Sequence, residues 1–291
     1  MDRRLFLISA VAATLAPRLA HADQLDDALQ FSISQIPGTV GVFARTMAPG
    51  PPLFTYNADE VFPAASTIKM LIMLTAFIGE EQAPGTLQER VLIRRSDLVG
   101  GSPFLAGAGG GEHYTVAQLI TPMIQLSDNS ASNALISHFG FDRINAVAHR
   151  AGLKQTHLKR HFLDYSAIVK HSENLTTAAD MGKLLFDLER GSREEFTTVA
   201  KPQSCGRMIR IMLGQTDRDK IPAGLPHGVP VANKTGEIDG VRNDVAIVDP
   251  FGDSPFVLTV YTKNLGNYPG AIRGINHISN AVYRKLANSN A

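Results

Sequence analysis

The sequence predicts an α+β fold: a three-layer α/β/α arrangement around an antiparallel sheet, joined to an all-helical half. Three observations carry this. Val/Ile-rich runs at 229–237, 241–248 and 256–262 are separated by the turn signals Asp239-Gly240 and Asp249-Pro250-Phe251-Gly252, which makes an antiparallel meander. Two more strand-like runs, 39–46 and 53–57, flank Pro49-Gly50-Pro51-Pro52 near the other end of the chain. Between these regions apolar residues recur at helical spacing. The two ends are therefore expected to share one sheet with helices packed on it, and the middle to form a helical insert.

Each element has a local reason. Leu25, Ala28, Leu29 and Ile33 give helical spacing over 23–34. From Ala65 onward Ile68, Met70, Leu71, Ile72, Met73, Leu74 and Phe77 are apolar nearly all round, so that helix should be buried. Pro63 stands just before it, as suits a first turn. A Thr115-x-x-Gln118 capping box opens a helix over 115–126, and Pro122 inside it is expected to bend it. Helices follow over 130–139 and 142–151, with Gly152 placed to stop the second, and over 177–188. After Cys205 the helical pattern is read as giving way to strands. A last helix over 276–286 puts Ile278, Ala281, Val282 and Leu286 on one face. There is no internal repeat and no low-complexity linker.

With 291 residues, 44% hydrophobic and 19% charged, the chain suits a soluble globular protein of one or two units. No apolar run reaches the ~18 residues of a membrane helix. Residues 1–22 read as a cleaved export signal: Arg3-Arg4 is a basic start, 5–15 is apolar, and Ala20-His21-Ala22 is a small-x-small cleavage site. Arg3-Arg4-Leu5-Phe6-Leu7 also suits a twin-arginine signal, with the general export route an equal alternative. A periplasmic or secreted monomer is expected. Losing Arg3, Arg4, Arg18 and Asp2 with the leader takes the net charge of +1 just below zero. That balance argues against nucleic acid or an anionic membrane as partner. Cys205 is the single cysteine, so no intrachain disulfide can form. His157 and His161 are spaced i, i+4 but lack the glutamate of a zinc-protease helix. No metal and no organic cofactor is expected.

The chemistry rests on Ser66-Thr67-Ile68-Lys69, Ser127-Asp128-Asn129 and Lys234-Thr235-Gly236, in that order. Ser-x-x-Lys alone is expected roughly once by chance in such a chain, but each tripeptide only on the order of 0.05 to 0.1 times. Their ordered coincidence carries the weight. Ser66 and Lys69 share a helix face and come within hydrogen-bond reach. Lys69 serves as a base only if burial or a neighbouring cation such as Lys234 lowers its pKa. Ser66 near a helix start would place a developing oxyanion among free N–H groups. Ser127 is placed to relay a proton to a leaving nitrogen. Asn129 can contact a substrate amide and accept from Lys69, while Asp128 suits a helix cap. Lys234 and Thr235 alternate along a strand, and Gly236 leaves room for a substrate backbone alongside. Arg242, across the Asp239-Gly240 turn, is a candidate second cation for a substrate carboxylate; a strand-edge ion pair is its equal rival. The set is a kit for attacking a carbonyl and forming an acyl-enzyme.

These motifs, with Phe62-Pro63-Ala64-Ala65-Ser66-Thr67, Tyr114-Thr115-Val116-Ala117-Gln118-Leu119, Ser127-Asp128-Asn129-Ser130-Ala131-Ser132-Asn133, Arg242-Asn243-Asp244-Val245-Ala246 and Thr176-Thr177 followed by Met181, resemble a class A β-lactamase or a close relative among the penicillin-recognising serine hydrolases. The resemblance runs from Asp23 to the C-terminus. It implies a β-lactamase/D,D-peptidase-like fold, with one catalytic unit over 23–291: an α/β half from 23–60 and 203–291, and an all-helical half over 61–202. It implies Ser66 as the acylated nucleophile, Lys69 as a base, Ser127 as the proton shuttle and Asn129 as an amide contact. Lys234, Thr235 and Arg242 would hold the substrate carboxylate, Gly236 would line the substrate strand, and the backbone N–H groups of Ser66 and Glu237 would form the oxyanion hole.

One part of the pattern is missing. The family places a water-activating Glu two residues after an Arg; aligned on Arg160, that position is Phe162, and Ser166 stands where an Asn is expected. Asp164 and Glu173 are the nearby candidates for a surrogate acid. Glu237 beside the oxyanion hole is also unusual and could repel an anionic substrate or act as a substitute acid or base. The implied activity is opening of a β-lactam amide through a serine acyl-enzyme, with slow release. A D-alanyl-peptide hydrolase or transpeptidase is the alternative, and a periplasmic binder or sensor that acylates once is a third.

Overall fold

The computed structural model describes residues 25–193 and 199–289, so the leader read at 1–22 lies outside the described residues. A first helix, α1, covers 25–34. Five strands form one antiparallel sheet: β1 Thr39–Thr46, β2 Phe54–Tyr56, β7 Val231–Ile238, β8 Val241–Val248 and β9 Phe256–Lys263, in the order β2-β1-β9-β8-β7. The two ends of the chain thus meet where β1 pairs with β9. The strands are buried on both faces, and alternation sorts them. Val42, Ala246, Leu258 and Val260 pack with Leu29 and Ile33 of α1 and with Ile275, Ile278 and Val282 of the final helix α9, Tyr268–Ser289. Their neighbours Phe43, Val245, Ile247 and Val257 pack against Met181 and Leu185 of α7, Ala178–Arg193, and the helical half beyond.

The helical half holds α2 Lys69–Gln82, α3 Val116–Gln125, α4 Asn129–Phe139, α5 Phe141–Arg150, the short α6 Tyr165–Val169, α7 and α8 Pro202–Leu213. The expected capping box is present: Gln118 N donates to Thr115 Oγ1 and Thr115 N to Gln118 Oε1. This half is not purely helical. Two short ribbons cross it, β3 Phe62–Pro63 with β6 Leu175–Thr176, and β4 Arg90–Leu92 with β5 His113–Thr115.

Two expectations need correction. The chain does not turn to strands after Cys205, because Cys205 lies inside α8. Cys205, Met208, Ile209 and Met212 follow i, i+3, i+4, i+7 and bury in the helical core, with Pro202 in the first turn. The helical core therefore runs past the expected boundary at 202. The last helix also starts earlier, at Tyr268. Its Gly274 closely approaches Ile36, two residues past α1: a Cβ there would sit 2.3 Å from Ile36 Cγ1, so glycine is what allows the approach.

The site is positioned by the sheet edge. β7 is the terminal strand, and its free side abuts a one-turn 3₁₀ helix, Ala65–Ile68, that leads into α2.

Candidate active site

Ser66 lies in that 3₁₀ turn, partly exposed, with Thr67 beside it anchored to Ala64 O at 2.7 Å and Tyr261 OH at 2.8 Å. Ala65, just before it, has φ +47°, and Ser127 has φ +57°. A non-glycine residue in the left-handed region costs roughly 1–2 kcal/mol, and such strain collects at functional sites. Gly236 of β7 packs so tightly that a Cβ would lie 3.0 Å from Ala64 O and 3.1 Å from Ser66 N. Any larger residue would push the strand off the serine.

A cavity of about 340 Å³ opens here, lined by Ser66, Ser127, Asn129, Thr235 and Glu237 with Gly101, Pro103, Leu126, Gln215, Thr216 and Asp217. The three sequence motifs therefore meet in one cleft. Lys69 is fully buried, and its Nζ donates to Ser127 O at 2.6 Å, Ser127 Oγ at 3.1 Å and Asn129 Oδ1 at 2.8 Å. Lys234, also fully buried, donates to Ser127 Oγ at 3.1 Å and Thr235 O at 2.8 Å. Ser127 Oγ thus sits between two amines. Among the described residues, Lys69 bonds Ser127 and Asn129 and not Ser66, so sharing a helix face was not enough to join that pair. Burial, reinforced by the Lys234 charge and opposed by Asp128, holds Lys69 well below the ordinary lysine range. Burial also lowers Lys234, to about 8, against the opposing charges of Asp244 and Asp217.

Asn129 starts α4, and its Nδ2 donates to Gly100 O at 3.0 Å. Asp128 is the N-cap: its Oδ1 accepts from Ala131 N, and its Oδ2 from Phe104 N and Leu105 N. It is a brace for the loop over the cleft.

Phe162 fills the place opposite Lys69, whose Nζ lies 4.4 Å from the ring centroid. Asn133 pins it by accepting from Phe162 N at 2.8 Å and donating to Phe162 O at 3.2 Å. Neither Asp164 nor Glu173 lines the cavity. Asp164 caps α6, its Oδ1 accepting from Ser166 Oγ and Ala167 N. Glu173 forks onto buried Arg160, accepting from Nε at 3.0 Å and from Nη2 at 2.9 Å. Glu173→Gln should therefore cost roughly 1–3 kcal/mol, seen as a lower thermal midpoint. An unchanged midpoint with slower ester release would assign Glu173 to the chemistry instead.

Arg242 pairs with Glu237 across the β7–β8 ladder. Its guanidinium stacks on Tyr268, with Cζ 3.8 Å from the ring centroid, and Nη1 donates to Ile238 O and Val241 O. Its Nε is 3.7 Å from Glu237 Oε1. It stands behind the cleft wall rather than in it. The residue that sequence reasoning missed is Lys220. Its buried ammonium bonds Asp217 Oδ2 at 2.9 Å, Asp219 Oδ1 at 2.7 Å and Glu237 Oε1 at 2.7 Å. These carboxylates lie within 4.8 Å of one another, a spacing that suits a metal ion, but the ammonium already bonds all three. Asp217 and Asp219, three and one residues before Lys220, were the local signal.

The sequence of residues 23–286 matches the model of the beta-lactamase enzyme family. The chain belongs to this family. It is 32% identical over 253 residues to beta-lactamase CTX-M-6 of Salmonella typhimurium, covering 86% of this chain and 84% of that one. It is 31% identical to beta-lactamase Toho-1 of Escherichia coli over the same shares. Among solved structures, PBP-A superposes with a TM-score of 0.81 at 28% identity, covering 91% of this chain and 96% of that one. A substituted variant of PBP-A, held as its acyl-enzyme with penicillin G, gives 0.81 at 27% identity, covering 91% and 97%. A beta-lactamase from Sphaerobacter thermophilus gives 0.78 at 27% identity, covering 91% and 97%. The fold of this chain is thus that of its family, and Ser66 and its partners occupy one cleft within it.

Proposed function

We propose that this protein opens the β-lactam amide through an acyl-enzyme on Ser66. One observation carries the reading: Ser127 Oγ lies 3.1 Å from both Lys69 Nζ and Lys234 Nζ, in the cavity that Ser66 lines. Lys69, once deprotonated and turned from Ser127 and Asn129 toward Ser66, takes the Ser66 proton as Oγ attacks the carbonyl. The backbone N–H groups of Ser66 and Glu237 hold the oxyanion. Ser127 gives its proton to the departing lactam nitrogen and is refilled from the amines beside it. Asn129, Thr235 and Gly236 seat the substrate along the β7 edge. Lys234, with Arg242 behind the wall, attracts its carboxylate. The result is an ester on Ser66 with the ring opened.

Release of that ester is slow in this reading, because Phe162 offers water no base. The same observation favours a second reading, a D-alanyl-peptide hydrolase or transpeptidase that penicillin acylates. The likeness to PBP-A is in line with it. A chromogenic cephalosporin assay run beside intact-mass spectrometry separates the two. Continuous turnover supports the β-lactamase reading. A burst of about one equivalent with a lasting adduct, together with turnover of a D-Ala-D-Ala peptide, supports the second. No adduct and no turnover would remove both.

The family match begins at residue 23, where the leader would be cut, which is in line with an exported catalytic unit over 23–291. Among the described residues no helix is long and apolar enough to cross a membrane.

The pH dependence follows from Lys234. It is charged below about 8 and loses that charge above. Acylation efficiency toward an anionic β-lactam should therefore fall as pH rises through about 8. Lys234→Arg should move that limb to higher pH; a limb that stays put would show another group titrating.

A further inference from the structure

Lys220 lies one hydrogen bond behind the cavity wall. Two of the three carboxylates that hold it, Asp217 and Glu237, line the cavity. Burial alone would lower its ammonium; the bonds from Asp219 and Glu237 and the Asp217 charge outweigh that and raise it above the ordinary lysine value. It is a full positive charge. Glu237 Oε1 sits 2.7 Å from Lys220 Nζ and 3.7 Å from Arg242 Nε, so one carboxylate oxygen faces two cations at this end of the cleft. Around Thr235 the cations Lys220, Lys234 and Arg242 face the acids Asp217, Asp219, Glu237 and Asp244. The positive potential that would draw in an anion is weakened by the protein's own acids.

Glu237 is the acid able to move. Its side chain is 43% exposed, whereas Lys220 is fully buried. It stands near the end of β7, next to the Asp239-Gly240 turn. Rotating it outward would leave Lys220 with Asp217 and Asp219 and open one of its bonds to the cavity, and would remove the carboxylate that Arg242 faces among the described residues. A substrate carboxylate arriving at Thr235 would exchange with it, like for like.

We propose that Glu237 is a built-in competitor for the substrate's carboxylate: it occupies Lys220 and Arg242 until an anionic substrate displaces it, and so sets the preference between anionic and neutral substrates. The inference rests on the Ser66 acylation reading and adds to it which charge the cleft prefers. Glu237 acts here as a specificity-determining residue through Lys220; its carboxylate takes no part in bond making.

The test compares benzylpenicillin with its uncharged methyl ester. Second-order acylation constants are taken from intact-mass time courses with the native protein and with Glu237→Gln, at low and high salt. Glutamine keeps the shape and an oxygen for Lys220 but removes the charge. The expected result is an anion-to-ester ratio about tenfold higher in Glu237→Gln at low salt, shrinking at high salt as screening predicts. A ratio within twofold of the native value, or both constants shifting by one common factor, would overturn the inference while leaving Ser66 acylation standing. If the native protein forms no adduct with either compound and hydrolyses neither, the Ser66 reading fails and this inference fails with it.

Discussion

Phe162→Glu should speed release of the Ser66 ester by on the order of 10², the low end of what one positioned general base contributes. The geometry is specific. Asn133 fixes the backbone of residue 162 from both its N–H and its carbonyl, and the ring lies over the Lys69 amine. A glutamate there would project its carboxylate toward the same amine. A water held between that carboxylate and the ester would gain the base it now lacks. The substitution carries an opposing cost. An anion beside Lys69 favours its charged form and so weakens it as the base for acylation. Acylation should slow while release quickens, and the lifetime of the intact-mass adduct reads the second effect directly. An adduct as long-lived as the native one would show that Phe162 does not limit release.

Lys69→Met should lower the acylation rate by about 10³, within the usual range for losing a general base. Methionine has nearly the length of lysine and no proton to move. The native amine is buried, and burial holds it well below the ordinary lysine range, which favours the neutral form a base needs. Its loss also leaves Ser127 O and Asn129 Oδ1 without their shared donor. Stability should therefore fall as well, and the kinetics must be read below the variant's thermal midpoint. A variant that folds and acylates at the native rate would move the base elsewhere, with Lys234 through Ser127 the next candidate.

Much of this was legible in the chain because local chemistry fixes it. Val/Ile runs with Asp-Gly and Asp-Pro turns wrote the β7–β9 meander, and Thr115 with Gln118 wrote the start of α3. The meeting of Ser66, Ser127 and Lys234 was legible only as a coincidence of motifs, since no local rule places strand β7 beside α2. What was misread has physical causes. The period of α8 was present in Cys205, Met208, Ile209 and Met212, but Pro202 and Gly206 masked it. The first turns of α9 carry Pro269, Gly270 and Gly274, which read as loop until Ile36 is seen packed against Gly274. The bonding of Lys69 to Ser127, the stacking of Phe162 on it and the grip of Glu237 on Lys220 join residues 17 to 93 apart in sequence, and only the packed chain brings them together.

The central claim is that Ser66 Oγ becomes esterified. Treating the protein with benzylpenicillin, digesting it and mapping the added mass by tandem mass spectrometry tests this most directly. The mass of one intact penicillin should fall on the peptide that carries Ser66, and it should vanish in Ser66→Ala. The same mass on another residue, or an adduct that survives in Ser66→Ala, would contradict the account.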